Sequence, residues 1–250
     1  MCLLALARHP AGAAPVTVRF PEASLHGFLA LRSSQGELLA SGELNQLLRD
    51  NQVHARLTFH FKDGSLYDET VVFSQQRVFA LLTYHLIQHG PSFPHTVDVS
   101  FNRKTGRYTT RFRKRPADAE DVGEGRLDLP TDVYNGMTSV LLKNLAPGET
   151  GTGHMLAFTP KPRLLKAELI PAAEDSFTSA DTPTRATRYL VKLELGGLVG
   201  VIAPVVGKEP PRLYYWIART QVPAFVKYEG PQYMNGPVWR IELTAPRWPK

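Results

Sequence analysis

The sequence predicts a mainly β protein: one large curved antiparallel sheet or half-barrel, with one amphipathic helix and a short apolar plug segment on its concave face. Apolar and polar residues alternate along several runs, turn-forming sequences separate these runs, and the 250 residues include 19 Gly and 20 Pro. A period of two places every second side chain on one face of a strand. We expect about ten or more strands with short turns, as in a large sheet, sandwich or barrel.

The clearest alternation covers residues 53–61, where apolar side chains occupy the odd positions and His, Arg or Thr occupies the even ones. Lys62-Asp63-Gly64 then provides a tight turn, and residues 65–73 are predicted to return as the hairpin partner. Residues 97–101 and 108–112 flank a second turn sequence in the same way. Further strands are predicted at 26–31, 37–41, 153–158, 164–170, 188–195, 213–218, 224–228 and 238–243.

Two segments depart from this pattern. Residues 131–145 carry apolar side chains at helical spacing, Val133 and Met137 among them, with Thr131 placed to cap the first turn. They predict one amphipathic helix that covers the concave side of the sheet. Residues 195–207 are rich in Gly and apolar side chains and too short to cross a bilayer. We interpret them as a buried plug of the core or as a mobile apolar lip over a cavity, and both interpretations stay open.

Residues 15–250 are predicted to form a single β-rich domain, since a chain of this length with 43% hydrophobic residues can bury one large core. Residues 1–14 carry a short apolar patch and then small residues that a signal peptidase accepts, so we interpret them as part of a signal peptide. The expected location is periplasmic or otherwise exported. Cys2 is the single cysteine, which excludes an intrachain disulfide, a multi-thiolate metal site and a redox pair.

The charge pattern indicates no nucleic-acid partner. The net charge is +6, but the basic residues are scattered except for one dense run at 111–115. That run leads into an acidic stretch at 118–124, which we interpret as a loop, and no stacking aromatic residues interleave with it. We therefore predict a solvated strand end. No other segment approaches the roughly 18 apolar residues that a membrane span needs, so an integral membrane protein is not expected.

The sequence contains no recognisable catalytic or metal-binding motif. It lacks a Gly-x-Ser-x-Gly elbow, and the glycines at 196–200 are not followed by the Lys-Ser/Thr pair of a phosphate loop. His54 and His60 share a strand face about 20 Å apart, too far for one metal ion. We predict no cofactor, no metal site and no catalytic residue. The alternative is an enzyme whose site is assembled from distant residues, with His54, His60, Asp68 and Glu69 as first suspects.

The expected ligand site is a partly unfilled concavity. One helix and one plug are few elements to cover so many strands, and cavities in β folds hold small apolar ligands. The predicted contacts are apolar or aromatic side chains of the strands and the helix: Leu57, Phe59, Phe61, Tyr84, Val133, Met137, Trp216 and Phe225. The plug segment contributes a predicted lid: Leu198, Val199, Val201 and Ile202.

Three stretches of the C-terminal half carry a resemblance to known proteins: residues 138–148, 158–164 and 236–243, the last reading Gly-Pro-Val-Trp-Arg-Ile-Glu-Leu. They are similar to a group of uncharacterised exported bacterial proteins. That group resembles, more distantly, the periplasmic lipoprotein-carrier superfamily, in which a strongly curved antiparallel sheet wraps around helices and shelters acyl chains. The resemblance covers residues 26–243 and implies that architecture. No ligand-binding residue of the carriers maps by motif onto this chain, and fold analogy does not transfer function.

The leading functional hypothesis is a non-catalytic exported protein that binds or carries a hydrophobic or lipid-like molecule in the concave face. An alternative from another class is an envelope interaction module, which presents its sheet face or the basic run 111–115 to a protein partner or to anionic lipid headgroups. Strong salt dependence of binding would distinguish this module from an apolar pocket.

Overall fold

A computed structural model of the protein describes residues 15–114, 116–159, 162–179, 182–194 and 212–244. These residues form one antiparallel sheet of 14 strands and one short helix. The first eight strands are β1 (Leu25–Ser33), β2 (Leu38–Arg49), β3 (Gln52–Phe61), β4 (Leu66–Gln75), β5 (Phe79–His89), β6 (Thr96–Asn102), β7 (Arg107–Arg113) and β8 (Asp121–Arg126). The helix and the remaining strands are α1 (Thr138–Asn144), β9 (Gly151–Ala157), β10 (Arg163–Ser179), β11 (Thr182–Glu194), β12 (Leu213–Ala218), β13 (Ala224–Gly230) and β14 (Trp239–Thr244).

The strand with the strictest alternation forms as predicted. Within β3, Val53, Phe59 and Phe61 are buried, whereas His60 is exposed. The predicted turn closes the hairpin to β4, because the Phe61 amide donates to the Ser65 carbonyl at 2.9 Å. Period-two hydrophobicity therefore decides which face of each of these strands is buried.

One long-range pairing organises the whole sheet. The strand order is β8-β7-β6-β5-β4-β3-β2-β1-β14-β13-β12-β11-β10-β9, so every neighbour is sequential except the pair β1–β14. That pair runs antiparallel, with Leu31 opposite Ile241. The two ends of the order, β8 and β9, are the edges of an open sheet. The predicted large antiparallel sheet is thus confirmed, and it is not closed into a barrel.

Residues 127–145, which we call the crossing segment, join the two edges and cross one face of the sheet. At one end Arg103 donates to the Leu129 carbonyl at 3.1 Å, and at the other end the Tyr134 amide donates to the His154 carbonyl of β9 at 2.9 Å. In between, Gly136 lies against Val71 and Glu69 of β4. We call the face that packs on this segment the inner face and the opposite one the outer face.

The helix is shorter than the sequence predicts. The prediction of a helix over 131–145 is wrong for its first half, because α1 begins only at Thr138. Val133 forms a parallel bridge with His154, and Gly136 has φ of +69°, which no helix accommodates. Thr131 is exposed and does not cap the helix, whose N-cap is Met137 without a side-chain cap hydrogen bond. Pairing with the edge strand β9 replaces helical hydrogen bonds in this part of the crossing segment.

The inner face carries two apolar clusters at different levels along the strands. On β3, Val53 belongs to the first cluster and Phe59 and Phe61 to the second. The first cluster joins residues of β3–β6 with residues of β9–β12, which lie far apart in the strand order, and the crossing segment lies between them. Such contacts require the sheet to curve around the segment. The second cluster includes these aromatic residues: Phe59, Phe61, Tyr67, Phe93, Tyr228 and Trp239.

The chain before β1 is held by a buried asparagine of the helix. The Asn144 Oδ1 atom accepts hydrogen bonds from the amides of Arg19 and Phe20 at 2.8 and 2.7 Å. Its Nδ2 donates to the Val140 carbonyl at 2.8 Å, and the neighbouring Lys143 forms an ion pair with Glu22. Residues 15–24 are thereby fixed to the crossing segment.

We expect Asn144→Ala to lower the free energy of unfolding by about 2 to 3 kcal/mol, because two backbone amides would lose their acceptor in a partly buried site. Urea denaturation followed by circular dichroism measures this change. The control Asn45→Ala lies on an exposed strand position and should change stability by less than about 0.5 kcal/mol. Equal effects of the two substitutions would contradict the proposed anchoring role of Asn144.

Two predictions concern residues outside the described ranges: the signal peptide at 1–14 and the plug at 195–207, with its lid residues Leu198, Val199, Val201 and Ile202. Among the described residues, no helix has the length and hydropathy needed to span a membrane.

Candidate functional site

Between the two clusters, the inner face carries a band of half-buried side chains. Leu44, Leu57, Glu69 and Leu86 are register neighbours on the adjacent strands β2, β3, β4 and β5. From the other half of the sheet, Leu213 and Tyr215 pack against both clusters. All six keep accessible surface, although their neighbours above and below on the strands are mostly buried. We call these six residues the inner band.

Glu69 is the one charged residue of the inner band. Its Oε1 atom accepts a hydrogen bond from the Tyr84 hydroxyl at 2.8 Å. Burial raises the pKa of Glu69 above its ordinary value, and hydrogen bonding by Tyr84 and Tyr67 opposes the rise only in part. No Lys, Arg or His in the described ranges forms an ion pair with this carboxyl group. A carboxylate without a cationic partner in an apolar interior is costly, and such groups concentrate at functional sites.

Tyrosines surround this carboxyl group. Burial raises the pKa of the Tyr67, Tyr84, Tyr215 and Tyr228 hydroxyls, with the negative charge of Glu69 contributing in each case. The rings of Tyr215 and Tyr228 lie 4.8 Å apart between centroids. The four phenols therefore stay neutral at physiological pH and act as hydrogen-bond donors or as apolar walls.

The crossing segment borders the site at Gly136. A Cβ atom added there would lie 3.4 Å from the Glu69 carboxyl carbon. The Gly136 backbone itself is exposed, and the adjacent Glu69 is only half-buried. Glu69 and Gly136 therefore meet where the crossing segment approaches the inner face, between the two packed clusters.

The structure brings most of the predicted ligand contacts to the inner face. Leu57 belongs to the inner band, and Phe225 is half-buried against the second cluster. The others are almost fully buried members of the two clusters: Phe59, Phe61, Tyr84, Val133 and Met137. These side chains form the packed ends of the interior, whereas the accessible surface lies between them, on the inner band.

The predicted place of Trp216 on the concave face is wrong. Tyr215 and Ile217 pack into the inner clusters, so the alternating side chain of Trp216 lies on the outer face. Its indole Nε1 donates to Asp175 at 2.7 Å, and the Lys227 ammonium lies 3.8 Å from the ring centroid. These groups line an outer groove of about 910 Å³. β12 carries aromatic side chains on both faces, so its composition did not predict which face Trp216 occupies.

The residues suspected of catalysis do not come together. Glu69 lies on the inner face, whereas Asp68 lies on the outer face, where Arg56 binds it through two hydrogen bonds of 2.9 and 2.6 Å. His54 and His60 share that outer face with Asp68, because all three stand out of phase with the buried positions of β3 and β4. Within the described ranges, no three His, Cys, Asp or Glu side chains converge in a way that could hold a metal ion.

The basic run is partly neutralised by its own surroundings. Arg111 and Arg113 both form ion pairs with Glu120, at 3.3 and 3.4 Å. The acidic stretch that follows was predicted to be a loop, but residues from Asp121 onward form the edge strand β8. Backbone pairing with β7 explains this difference, since strand formation at a sheet edge tolerates charged side chains.

Sequence reasoning named Glu69 only as a catalytic suspect and did not predict its place on the inner face, although a signal for it exists. On β4 the inward positions are Tyr67, Glu69, Val71 and Phe73, so a carboxylate occupies a phase otherwise held by apolar residues. A charge in the apolar phase of a strand predicts a buried polar group.

The pH dependence of stability should report this buried carboxyl group. Because its pKa is raised in the folded protein, Glu69 favours the folded state below its ordinary value of 4.5, and this contribution is lost as the pH rises through the folded pKa. We expect the urea midpoint of the protein to fall as the pH rises from about 4.5 toward neutrality, and Glu69→Gln to flatten that fall. Asp68→Asn, on the outer face of the same strand, is the control and should leave this fall in place.

No family model, curated protein or solved structure matches this chain significantly.

Proposed function

We propose that this protein binds an apolar or lipid-like molecule along the inner band and acts as a non-catalytic binding or carrier protein. One observation carries the proposal: Leu44, Leu57 and Leu86 keep accessible surface on the inner face of the sheet, between clusters that are otherwise closely packed. A folded protein gains free energy when such surface is buried, and an apolar ligand can supply that burial.

The two clusters support this location because they would limit the site at both ends. The first cluster contains Tyr189 and Leu142, and the second contains Phe59, all without accessible surface. Closely packed ends with half-buried side chains between them support a binding site of limited length on the inner band. The resemblance to the lipoprotein carriers concerns architecture alone and identifies no contact residue.

Export belongs to the same proposal and rests on residues 1–14. A protein that moves hydrophobic molecules between membranes would work in the periplasm, where such molecules need shelter from water. Fractionation of cells that make the protein from its own gene, with detection by an antibody, tests this point. Recovery of the protein in the cytoplasmic fraction with residues 1–14 retained would contradict it.

The ligand is tested by native mass spectrometry of the protein purified from a bacterial periplasm, before and after organic extraction. We expect an added mass that extraction removes. The extracted protein should then bind the neutral fluorescent probe N-phenyl-1-naphthylamine at micromolar concentration. A bare polypeptide mass together with no probe binding would overturn the proposal and favour an envelope interaction module.

A matched pair of variants locates the probe. Leu57→Trp fills the inner band and should weaken probe binding by about tenfold or more, since the larger ring occupies the site. Leu47→Trp adds the same group at an exposed position of β2 and should leave the affinity unchanged. Circular dichroism verifies that both variants fold. Equal affinities of the two folded variants would place the probe elsewhere on the protein.

A further inference from the structure

The carboxyl group of Glu69 constrains the polar end of any molecule that binds beside it. We infer that the inner band selects apolar molecules whose polar end donates hydrogen bonds, a hydroxyl or an ammonium group, and rejects amphiphiles with an anionic end. The inference rests on the proposed function, because it names the class of ligand for the same site.

The hydrogen-bonding capacity of the Glu69 carboxyl group favours a ligand that donates hydrogen bonds. An ionised carboxylate offers about four acceptor positions on two oxygens. Tyr84 occupies one of them at 2.8 Å, and Tyr67 is the other hydroxyl that hydrogen bonds with the group. Acceptor positions therefore remain on this carboxyl group, which belongs to a half-buried residue. A ligand that donates a hydrogen bond would satisfy them, whereas a ligand that only accepts would leave them unsatisfied.

The sign of the charge on ionised Glu69 favours a cationic ligand group over an anionic one. The ionised form of Glu69 brings negative charge to the inner band, and among the described residues no basic side chain pairs with it. Arg56, which precedes Leu57 on β3, lies on the outer face and forms an ion pair with Asp68 there. A second anion beside Glu69 would be repelled in an environment of low dielectric constant, while an ammonium group would be attracted.

The aromatic side chains around Glu69 offer surface for both a cation and an alkyl chain. Tyr84 stacks on Phe158 with centroids 5.5 Å apart, and Tyr215 packs on Tyr228. Aromatic faces attract cations and also accept alkyl chains. The environment of Glu69 is thus compatible with an ammonium or hydroxyl group on a long apolar chain, whereas the free acceptor positions and the charge of Glu69 disfavour a carboxylate or phosphate there.

The experiment compares dodecylamine, dodecanol and dodecanoate as competitors of N-phenyl-1-naphthylamine on the extracted wild-type protein at pH 7 and fixed ionic strength. The amine and the carboxylate are kept below their critical micelle concentrations, and the alcohol below its solubility limit. These competitors share one chain length and differ in the polar end. We expect dodecylamine and dodecanol to displace the probe at concentrations at least about tenfold lower than dodecanoate, consistent with gain or loss of one charge-assisted hydrogen bond. The amine and alcohol arms distinguish which of the two donors binds better.

Variants separate the role of Glu69 from general hydrophobicity. Glu69→Gln removes the charge with little change of shape and should weaken dodecylamine and strengthen dodecanoate, so that their preference falls about tenfold. Asp68→Asn removes a charge from the next residue on the opposite face and should preserve the preference. Dodecanoate competing as well as dodecylamine on the wild-type protein would overturn the inference while the proposed function stands. Failure of the probe to bind, together with a bare polypeptide mass, would overturn both.

Discussion

Gly136→Ala is expected to lower the free energy of unfolding by about 3 kcal/mol, the sum of a backbone term and a packing term. The backbone term arises because Gly136 has φ of +69°, a left-handed conformation that alanine adopts with strain. The packing term arises because the new methyl group would overlap the Cγ2 atom of Val71, a buried residue of the first cluster. Val71 lies on a strand and has little room to move.

Gly148→Ala separates the two terms. Gly148 has φ of +77°, but no atom lies within 4 Å of the position of an added Cβ. It should therefore cost only the backbone term, about 1 kcal/mol. Urea denaturation of both variants measures the difference. If Gly136→Ala proved no more costly than Gly148→Ala, the close approach of the crossing segment to β4 would be contradicted.

Phe59→Ala is expected to cost about 3 to 5 kcal/mol, because it removes a large side chain from a fully packed site and leaves a cavity. The Phe59 side chain is 0% exposed, and its ring lies edge-on to Tyr67 with centroids 6.0 Å apart. The ring also lies against Gly42 of β2, where a Cβ atom would overlap it. The neighbouring strands therefore cannot close the cavity without moving their backbones.

The matched control is Phe28→Ala, on β1. Phe28 is 37% exposed, so its truncation should cost less than about 1 kcal/mol. Thermal unfolding can compare the two variants with the parent protein. A small effect of Phe59→Ala, similar to that of Phe28→Ala, would show that the second cluster is not the packed core that its burial indicates.

The different burial of Phe59 and Leu57 also bears on the ligand site. Phe59 was predicted to contact a ligand, but a residue without accessible surface contributes first to stability. Leu57, two positions earlier on the same face of β3, keeps accessible surface. Variants at Phe59 should therefore change stability in the presence and absence of ligand, whereas variants at Leu57 should change binding more than folding.

Short strands with strict alternation were predictable from the sequence, and longer or less regular ones were not. Residues 53–61 were identified almost to the residue as β3. β5 was missed because it is apolar on both faces, as in Leu81-Leu82 and Leu86-Ile87, and a β-bulge shifts its pairing with β4. The outer part of the β10–β11 hairpin was missed because it begins with Pro171 and Ala172 and contains few bulky apolar residues.

The candidate site was predictable only in part. Alternation brought Leu57, Phe59 and Phe61 to one face, and the structure confirms that face as the inner one. Alternation also separates Trp216 from Tyr215 and Ile217, but it does not say which of these two sets of side chains is on the inner face of β12. Both phases of that strand are apolar or aromatic, so the pattern alone is ambiguous.

The sequence by itself determined the structural class of this protein and the buried face of its most regular strands, because side-chain periodicity acts locally along each strand. The tertiary structure alone decided that β1 pairs with β14, that the crossing segment pairs with β9 instead of forming a longer helix, and that Glu69 lies between two apolar clusters. These features depend on backbone hydrogen bonds and packing between residues distant in the chain. A local pattern of side chains does not encode which distant partner satisfies them.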